Sequence, residues 1–204
     1  MNYIFDFGGV VFRWQPQLLL RTAWPTRALD DASARHWVRE LLQGYTGDWA
    51  RFDRSEIDAA ELARRVHARL GVAEAEVHHL LACVHDHLAP IEATVQWIGE
   101  LAAAGHRLFY LSNMPAAMAD ELERRHAFLQ RFESGVFSGR VRLAKPDAAI
   151  FHFALERFGV RPEESVFFDD HLPNVEQAGQ LGLHAVLFRD AAQARDELVR
   201  RGLV

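Results

Sequence analysis

The sequence predicts an α/β fold, a Rossmann-like doubly wound parallel sheet that carries a helical insertion. Two observations support this prediction. Beyond residue 88, short apolar segments alternate with amphipathic segments, and glycines mark the turns between them. Residues 15–88 instead carry helical periodicity alone. We therefore expect a core made of residues 1–14 and 89–204, with a helical domain of residues 15–88 inserted after the first strand.

Short segments rich in aromatic and β-branched residues are the predicted core strands. They lie at residues 3–5, 106–111, 136–137, 165–168 and 185–188, with a further extended piece expected at residues 10–12. Helical periodicity fills the intervals at residues 90–104, 115–125, 147–158, 174–181 and 191–201. Each predicted strand after the first is preceded by a predicted helix, as in a parallel sheet.

The insert is predicted to contain helices at residues 30–43, 55–71 and 74–88. Asp53 or Ser55 is expected to cap the second of these, and Gly71 to end it. The stretch GDWARFDRSEI, residues 47–57, interrupts the helical periodicity. We expect this stretch to face the core.

Composition excludes several classes of protein. The 204 residues are half hydrophobic and carry a net charge of −5 without a long basic run, so nucleic acid is not an expected partner. A single cysteine, Cys83, excludes an internal disulfide and a zinc site made of cysteines. No apolar run approaches the ~20 residues of a membrane span, so we expect a cytoplasmic protein without a membrane partner. The sequence leaves the oligomeric state open.

Polar residues follow three of the predicted strands. Asp6 ends the first, Ser112 and Asn113 end the second, and Asp169 and Asp170 end the fourth. In a doubly wound sheet, ligands bind at the carboxyl ends of the strands. These side chains are therefore expected to meet at one site.

The chemistry of this predicted site is that of phosphoryl transfer. Several carboxylates beside one anion repel each other, and Mg²⁺, which prefers oxygen ligands, resolves that conflict. Lys145 adds a cation, and the predicted helix after Asn113 offers an N-terminus that favours an anion. A carboxylate that attacks phosphorus, a metal ion and a lysine together suit a phosphatase.

Four segments of the chain resemble the four motifs of the haloacid dehalogenase-like (HAD) hydrolases, in the order of that family. They are YIFDFGGVV, FYLSNMP, AKPDAAIF and VFFDDHLPN. The insert is similar to the cap of the first subclass of these enzymes. The pattern Asp-x-Gly at the start resembles that of sugar-phosphate phosphatases of the glucose-1-phosphate type.

The resemblance implies a role for each matching residue. Asp6 looks like the nucleophile, and Ser112 and Asn113 look like the pair that binds the phosphate. Lys145 is similar to the lysine that contacts nucleophile and phosphate, and the turn at Gly9 is expected to offer a backbone N–H to the phosphate.

The metal site is implied in the same way. Asp170 resembles the main acidic ligand, and Asp169 occupies the adjacent position that often assists it. Asp6 and the backbone carbonyl of Gly8 complete the expected set of ligands for Mg²⁺.

One position departs from the family pattern. The phosphatases usually carry a second aspartate two residues after the nucleophile as general acid, and this chain has Gly8 there. General acid catalysis contributes ~10²–10⁴-fold, so another group must protonate the leaving oxygen. His171, next to Asp170, is one candidate.

We expect a Mg²⁺-dependent phosphatase that hydrolyses a small phosphorylated metabolite, for example a sugar phosphate, through an aspartyl-phosphate on Asp6. Two alternatives stay open. Dehalogenases of the same family also lack the second aspartate, and would use Asp6 to attack carbon. A phosphate-binding protein of this fold with little turnover is the other alternative.

Overall fold

The computed structural model describes residues 1–203 and contains one five-stranded sheet. All of its strand pairs are parallel. The strands are β1 (Asn2–Phe5), β2 (Arg107–Ser112), β3 (Ser134–Phe137), β4 (Ser165–Asp169) and β5 (His184–Leu187). The predicted α/β class and all five predicted core strands are confirmed.

The spatial order of the strands is β3-β2-β1-β4-β5, so the first strand lies at the centre. The chain runs outward from β1 to one side through β2 and β3, and then returns to the other side at β4. The strand order therefore reverses at β1, which lies between β2 and β4. In such sheets a crevice for ligands forms at the carboxyl ends of the strands beside this reversal.

Helices cover both faces of the sheet. The core helices are α6 (Glu92–Ala103), α7 (Ala116–Arg125), α8 (Ser138–Val141), α9 (Ala148–Phe158), α10 (Leu172–Gln180) and α11 (Ala191–Arg200). Alternate strand residues point to opposite faces. Tyr3 and Phe5 pack in a cluster with residues of α6, α11 and the insert, whereas Ile4 and Phe167 pack against α9. Burial of each such side chain contributes ~1.5–3 kcal/mol.

The helices between β1 and α6 are α1 (Pro16–Ala23), α2 (Asp31–Leu42), α3 (Asp48–Asp53), α4 (Ala59–Leu70) and α5 (Glu74–His87). The apolar side chains of these helices belong to the same hydrophobic cluster as one face of the sheet. The boundaries 15–88 for the insert remain a proposal.

Two local predictions are wrong. Residues 10–12 form a tight turn, in which the N–H groups of Val10, Val11 and Phe12 all point to the carbonyl oxygen of Phe7. Helix α4 is capped by Asp58, whose carboxylate accepts a hydrogen bond from the N–H of Glu61, and not by Asp53 or Ser55. Gly71 ends α4 as predicted, in a left-handed conformation.

Within residues 1–203, every helix is too short or too polar to cross a lipid bilayer.

The contact between Gly135 and Tyr110 leads to a stability prediction. A Cβ atom at Gly135 would lie 2.0–2.2 Å from the ring of Tyr110, whose hydroxyl donates a hydrogen bond to Glu123. Gly135→Ala should therefore lower the free energy of unfolding by about 1–3 kcal/mol through overpacking. Gly179→Ala, at the exposed penultimate position of α10 where an added Cβ meets nothing, is the control and should leave the free energy of unfolding unchanged or slightly raised. Urea denaturation measures both, and equal stabilities would contradict the packing argument.

Candidate active site

The register of the sheet brings the acids of β1 and β4 together. Phe5 pairs with Phe168, so the residues that follow them, Asp6 and Asp169, emerge side by side at the carboxyl edge. The N–H of Asp6 continues the ladder by donating to the carbonyl of Phe168 at 2.9 Å. One carboxylate oxygen from each of Asp6, Asp169 and Asp170 lies within 4.8 Å of the others.

A buried lysine connects two of these acids. The Lys145 ammonium lies 2.8 Å from Asp6 Oδ1 and 2.6 Å from Asp169 Oδ2, and its side chain is 1% exposed. Burial disfavours the charge on Lys145, but the carboxylates of Asp169 and Asp6 outweigh that effect and raise its pKa. Lys145 is therefore a fixed cation at neutral pH.

Asp6 has the opposite balance. Burial raises the pKa of its carboxyl group to about 7, the charges of Asp169 and Asp170 add to the rise, and Lys145 opposes it. Burial and the charge of Asp169 likewise raise the pKa of Asp170. Without a further positive charge, the site holds more negative charge than Lys145 compensates.

Asp169 is fully buried and engaged by several donors. Besides Lys145, it accepts hydrogen bonds from the N–H of His171 at 2.8 Å and from Asn174 Nδ2 at 3.0 Å. These bonds position Lys145 and the start of α10. Asp6 and Asp170 both line the cavity beside the sheet, whereas Asp169 does not, and Asp170 is the exposed one of the three acids.

The end of β2 contributes a hydroxyl and an amide with different tasks. Ser112 lines the cavity, and its hydroxyl has no hydrogen-bond partner within residues 1–203, so it is available to a ligand. The side chain of Asn113 is occupied, because its amide donates to the carbonyl of Lys145 and accepts from the N–H of Lys145, both at 2.9 Å. The Asn113 side chain therefore holds the backbone of Lys145, and the contact of Asn113 with phosphate stays a prediction.

The first N–H group of α7 is bound by the insert. The N–H of Ala116 donates to Ser55 Oγ at 3.0 Å, and the N–H of Met114 donates to Ser138 Oγ at 2.8 Å. Ser138 in turn donates to the backbone carbonyl of Asp53 at 2.6 Å. The insert thus caps the helix that was expected to favour the anion. Ser55 of the insert and Ser138 of the core form the two contacts.

The turn after β1 requires glycine at one position. Gly9 adopts φ +74°, and a Cβ atom there would lie 2.1 Å from Asp170 Oδ2. Gly9 thus allows the Asp170 carboxylate to approach the backbone of the turn. At Gly8 an added Cβ would meet only the side chain of Trp14 at 3.5 Å. Gly8 lines the cavity, whereas the proposed contact of Gly9 with phosphate stays a prediction.

Above the acids lies a cavity of about 340 Å³ between the insert and the carboxyl edge of the sheet. Most of its lining is apolar or aromatic, namely Trp14, Tyr45, Trp49, Val84, Leu88, Met114, Pro115, Met118, Pro146 and Pro173. Of the described residues that line it, Lys145 is the only lysine or arginine. The predicted approach of residues 47–57 to the core is found, because Trp49 and Asp53 both reach this cavity.

Sequence reasoning missed the role of Asp53, which it treated as a helix cap. The residue is 6% exposed and lines the cavity, and its carboxyl group has no hydrogen-bond partner within residues 1–203. The interrupted periodicity of residues 47–57 was the one available signal. His171 lies at the exposed rim of the cavity, with its ring 5.7 Å from that of Tyr45.

The donor set fits a hard divalent cation. Three carboxylates converge, and an orphaned acceptor lies beside them: Asn174 Oδ1 is buried without a hydrogen-bond partner within residues 1–203. Its orientation is fixed, since the amide nitrogen binds both oxygens of Asp169. A metal-bound water molecule would supply the donor that this oxygen lacks. Oxygen ligands of this kind suit Mg²⁺.

The fold and the acidic site together define a hydrolase of the HAD type, and comparison with known proteins agrees. The family model for haloacid dehalogenase-like hydrolases matches residues 2–182. The chain belongs to this family, as the four motifs predict.

The relatives differ in the reactions for which they are named. The chain is similar to a sesquiterpene phosphatase of Aspergillus oryzae, with 24% identity over 89% of the chain and 87% of the relative. It is also similar to (S)-2-haloacid dehalogenase 1 of a Pseudomonas strain, with 25% identity over 91% of the chain and 75% of the relative. A HAD family enzyme from Bacteroides thetaiotaomicron in complex with magnesium and inorganic phosphate shares the fold, with a TM-score of 0.68, 20% identity and coverage of 89% and 90%.

The raised pKa of Asp6 predicts that metal affinity depends on pH. Below about 7 the Asp6 carboxyl is protonated, so a divalent cation must displace that proton in order to bind. The affinity for Mg²⁺ should fall by up to about tenfold per pH unit as the pH drops below this value. Calorimetric titration about one unit below and one unit above that pH measures the change. An affinity that is equal at both pH values would rule out Asp6 as the group in competition.

Proposed function

We propose that this protein is a Mg²⁺-dependent phosphatase that hydrolyses a small phosphate ester through an aspartyl-phosphate on Asp6. The observation that carries the proposal is the convergence of three carboxylates on one buried lysine beneath a cavity. The excess of negative charge calls for a divalent cation, and the cavity offers room for the ester.

Each residue then has a defined task. Lys145 holds Asp6 Oδ1 and leaves Oδ2 free of side-chain partners within residues 1–203, so Oδ2 is the oxygen available for attack. The hydroxyl of Ser112 donates a hydrogen bond to a phosphate oxygen. Asp6 and Asp170, with the carbonyl of Gly8 and support from Asp169, would hold the ion. When bound, Mg²⁺ supplies positive charge that stabilises the transferring phosphoryl group.

The first alternative, a 2-haloacid dehalogenase, fits this cavity less well. Its substrate carries a carboxylate, and a binding site for that group normally presents a cation that is free to pair with it. Lys145 is already shared between Asp6 and Asp169, and Asp170 would repel the substrate. The second alternative, phosphate binding with little turnover, rests on Gly8 alone.

The walls of the cavity favour an ester whose alcohol part is apolar. Aromatic and aliphatic side chains from both the insert and the core form most of the lining. An apolar alcohol gains from leaving water there, whereas each sugar hydroxyl would need a polar partner. The similarity to a sesquiterpene phosphatase supports the same preference over the sugar phosphate that the sequence suggests.

Replacement of the nucleophile tests the reaction. Asp6→Asn should reduce phosphate release from p-nitrophenyl phosphate by at least about 10³-fold, because an amide cannot form the covalent intermediate. Chelation of Mg²⁺ in the wild type should abolish release as well. Full activity of the asparagine variant would disprove the mechanism. Chloride release from 2-chloropropionate in the presence of chelator would instead select the dehalogenase.

The nature of the cavity walls predicts substrate preference. The wild type should hydrolyse an isoprenoid or alkyl monophosphate with a kcat/KM at least about tenfold above that for a hexose phosphate. Met118→Gln replaces part of the apolar wall by an amide and should lower the ratio of kcat/KM for the apolar ester to kcat/KM for the hexose phosphate. Steady-state kinetics on both substrates measure it, and a preference for the hexose phosphate would restore the sugar-phosphate assignment.

A further inference from the structure

Gly8 leaves the reaction without the usual acid in the turn after strand β1, and a carboxyl group from the insert lies in the same cavity. We propose that Asp53 donates the proton to the leaving oxygen of the phosphate ester. The inference rests on the proposed phosphatase function, and concerns which group completes the reaction.

The first argument is the environment of Asp53. A buried carboxyl group in a folded protein normally finds a hydrogen-bond or ionic partner. Asp53 is 6% exposed and has neither within residues 1–203. Its side chain lines the ligand cavity, so the available partner is a ligand. It is also distinct from the metal cluster, which contains Asp6, Asp169 and Asp170 alone.

The second argument is rigidity. Asp53 is the last residue of α3, and its backbone carbonyl accepts a 2.6 Å hydrogen bond from Ser138. Two residues later, Ser55 caps the start of α7. The first contact joins Asp53 to the start of α8 and the second joins Ser55 to the start of α7, so the position of Asp53 is fixed relative to the core although it belongs to the insert. A general acid needs such a fixed position.

The third argument is the protonation state. Burial raises the pKa of the Asp53 carboxyl well above its usual range, Arg54 opposes the shift, and the charge of Asp6 adds to it. A higher pKa favours the protonated form of this carboxyl group, and only that form can act as an acid.

His171 and Tyr45, which also line the cavity, fit this role less well. His171 is exposed at the rim of the cavity. The Tyr45 hydroxyl accepts a hydrogen bond from Trp14 Nε1 at 3.0 Å, and burial raises its pKa, so it is a weak acid. Asp53 is the buried, unpartnered acid among them.

The proton balance closes over one turnover. In the first step Asp6 bonds to phosphorus, the bond between phosphorus and the ester oxygen breaks, and the proton of Asp53 moves to that oxygen to form the alcohol. In the second step water attacks the phosphorus of the aspartyl-phosphate and gives a proton to the Asp53 carboxylate. The bond from phosphorus to Asp6 breaks, phosphate leaves, and Asp53 is protonated again.

The test compares two leaving groups in Asp53→Asn, which keeps the shape of a neutral carboxyl group. An alkyl phosphate needs a proton on its leaving oxygen, so its kcat should fall by about 10²–10⁴-fold. p-Nitrophenyl phosphate releases a stable anion, so its kcat should fall by less than about tenfold. A purely structural role would lower both rates alike. Asp58→Asn removes a carboxylate from the same insert at an exposed cap and should change neither rate.

The outcomes separate the two proposals. No phosphate release by the wild type from either substrate would overturn the phosphatase function itself. An active wild type with equal losses on both substrates in Asp53→Asn would overturn the role of Asp53 and leave the phosphatase intact. A selective loss on the alkyl phosphate in His171→Gln, without one in Asp53→Asn, would transfer the role to His171. Asp53→Glu, with the acid retained, should recover part of the alkyl phosphate activity.

Discussion

The ammonium group of Lys145, buried between Asp6 and Asp169, is the interaction on which the site depends. Three ionisable groups are buried within hydrogen-bond distance, and none of them would remain charged there alone. Lys145 permits Asp6 to carry the charge that a nucleophile needs. The two hydrogen bonds from Asn113 to the Lys145 backbone then fix the lysine to the end of β2.

Lys145 compensates only part of the negative charge of the three acids. The remaining negative charge determines which ligands the site favours. With three acids and one lysine, the site suits a divalent cation, and burial raises the pKa of Asp6 to about 7. The same excess disfavours a substrate whose only anion is a carboxylate. This is why we propose phosphate ester hydrolysis rather than dehalogenation, the two reactions for which the relatives are named.

The insert does more than cover this site. Its apolar side chains share one hydrophobic cluster with the sheet, and Ser55 Oγ accepts a hydrogen bond from the first N–H group of α7. Apolar walls lower the local polarity, which strengthens electrostatic interactions within the cavity. The same segment brings Asp53 into the cavity, so the part of the chain outside the parallel sheet would contribute to both the proposed specificity and the proposed proton transfer.

The sequence by itself determined the family, the α/β class, the five strands and the group of polar residues at their ends. These features depend on local periodicity and on the rule that parallel strands end at one edge. The tertiary structure decided what each residue contacts. Ser55 and Ala116 form a hydrogen bond although they lie 61 positions apart in the sequence, and Asn113 and Lys145 do so at a separation of 32. No local pattern encodes such pairs. The prediction that Asp53 caps a helix was wrong for this reason. The environment of Asp53 forms only when the insert packs against the core.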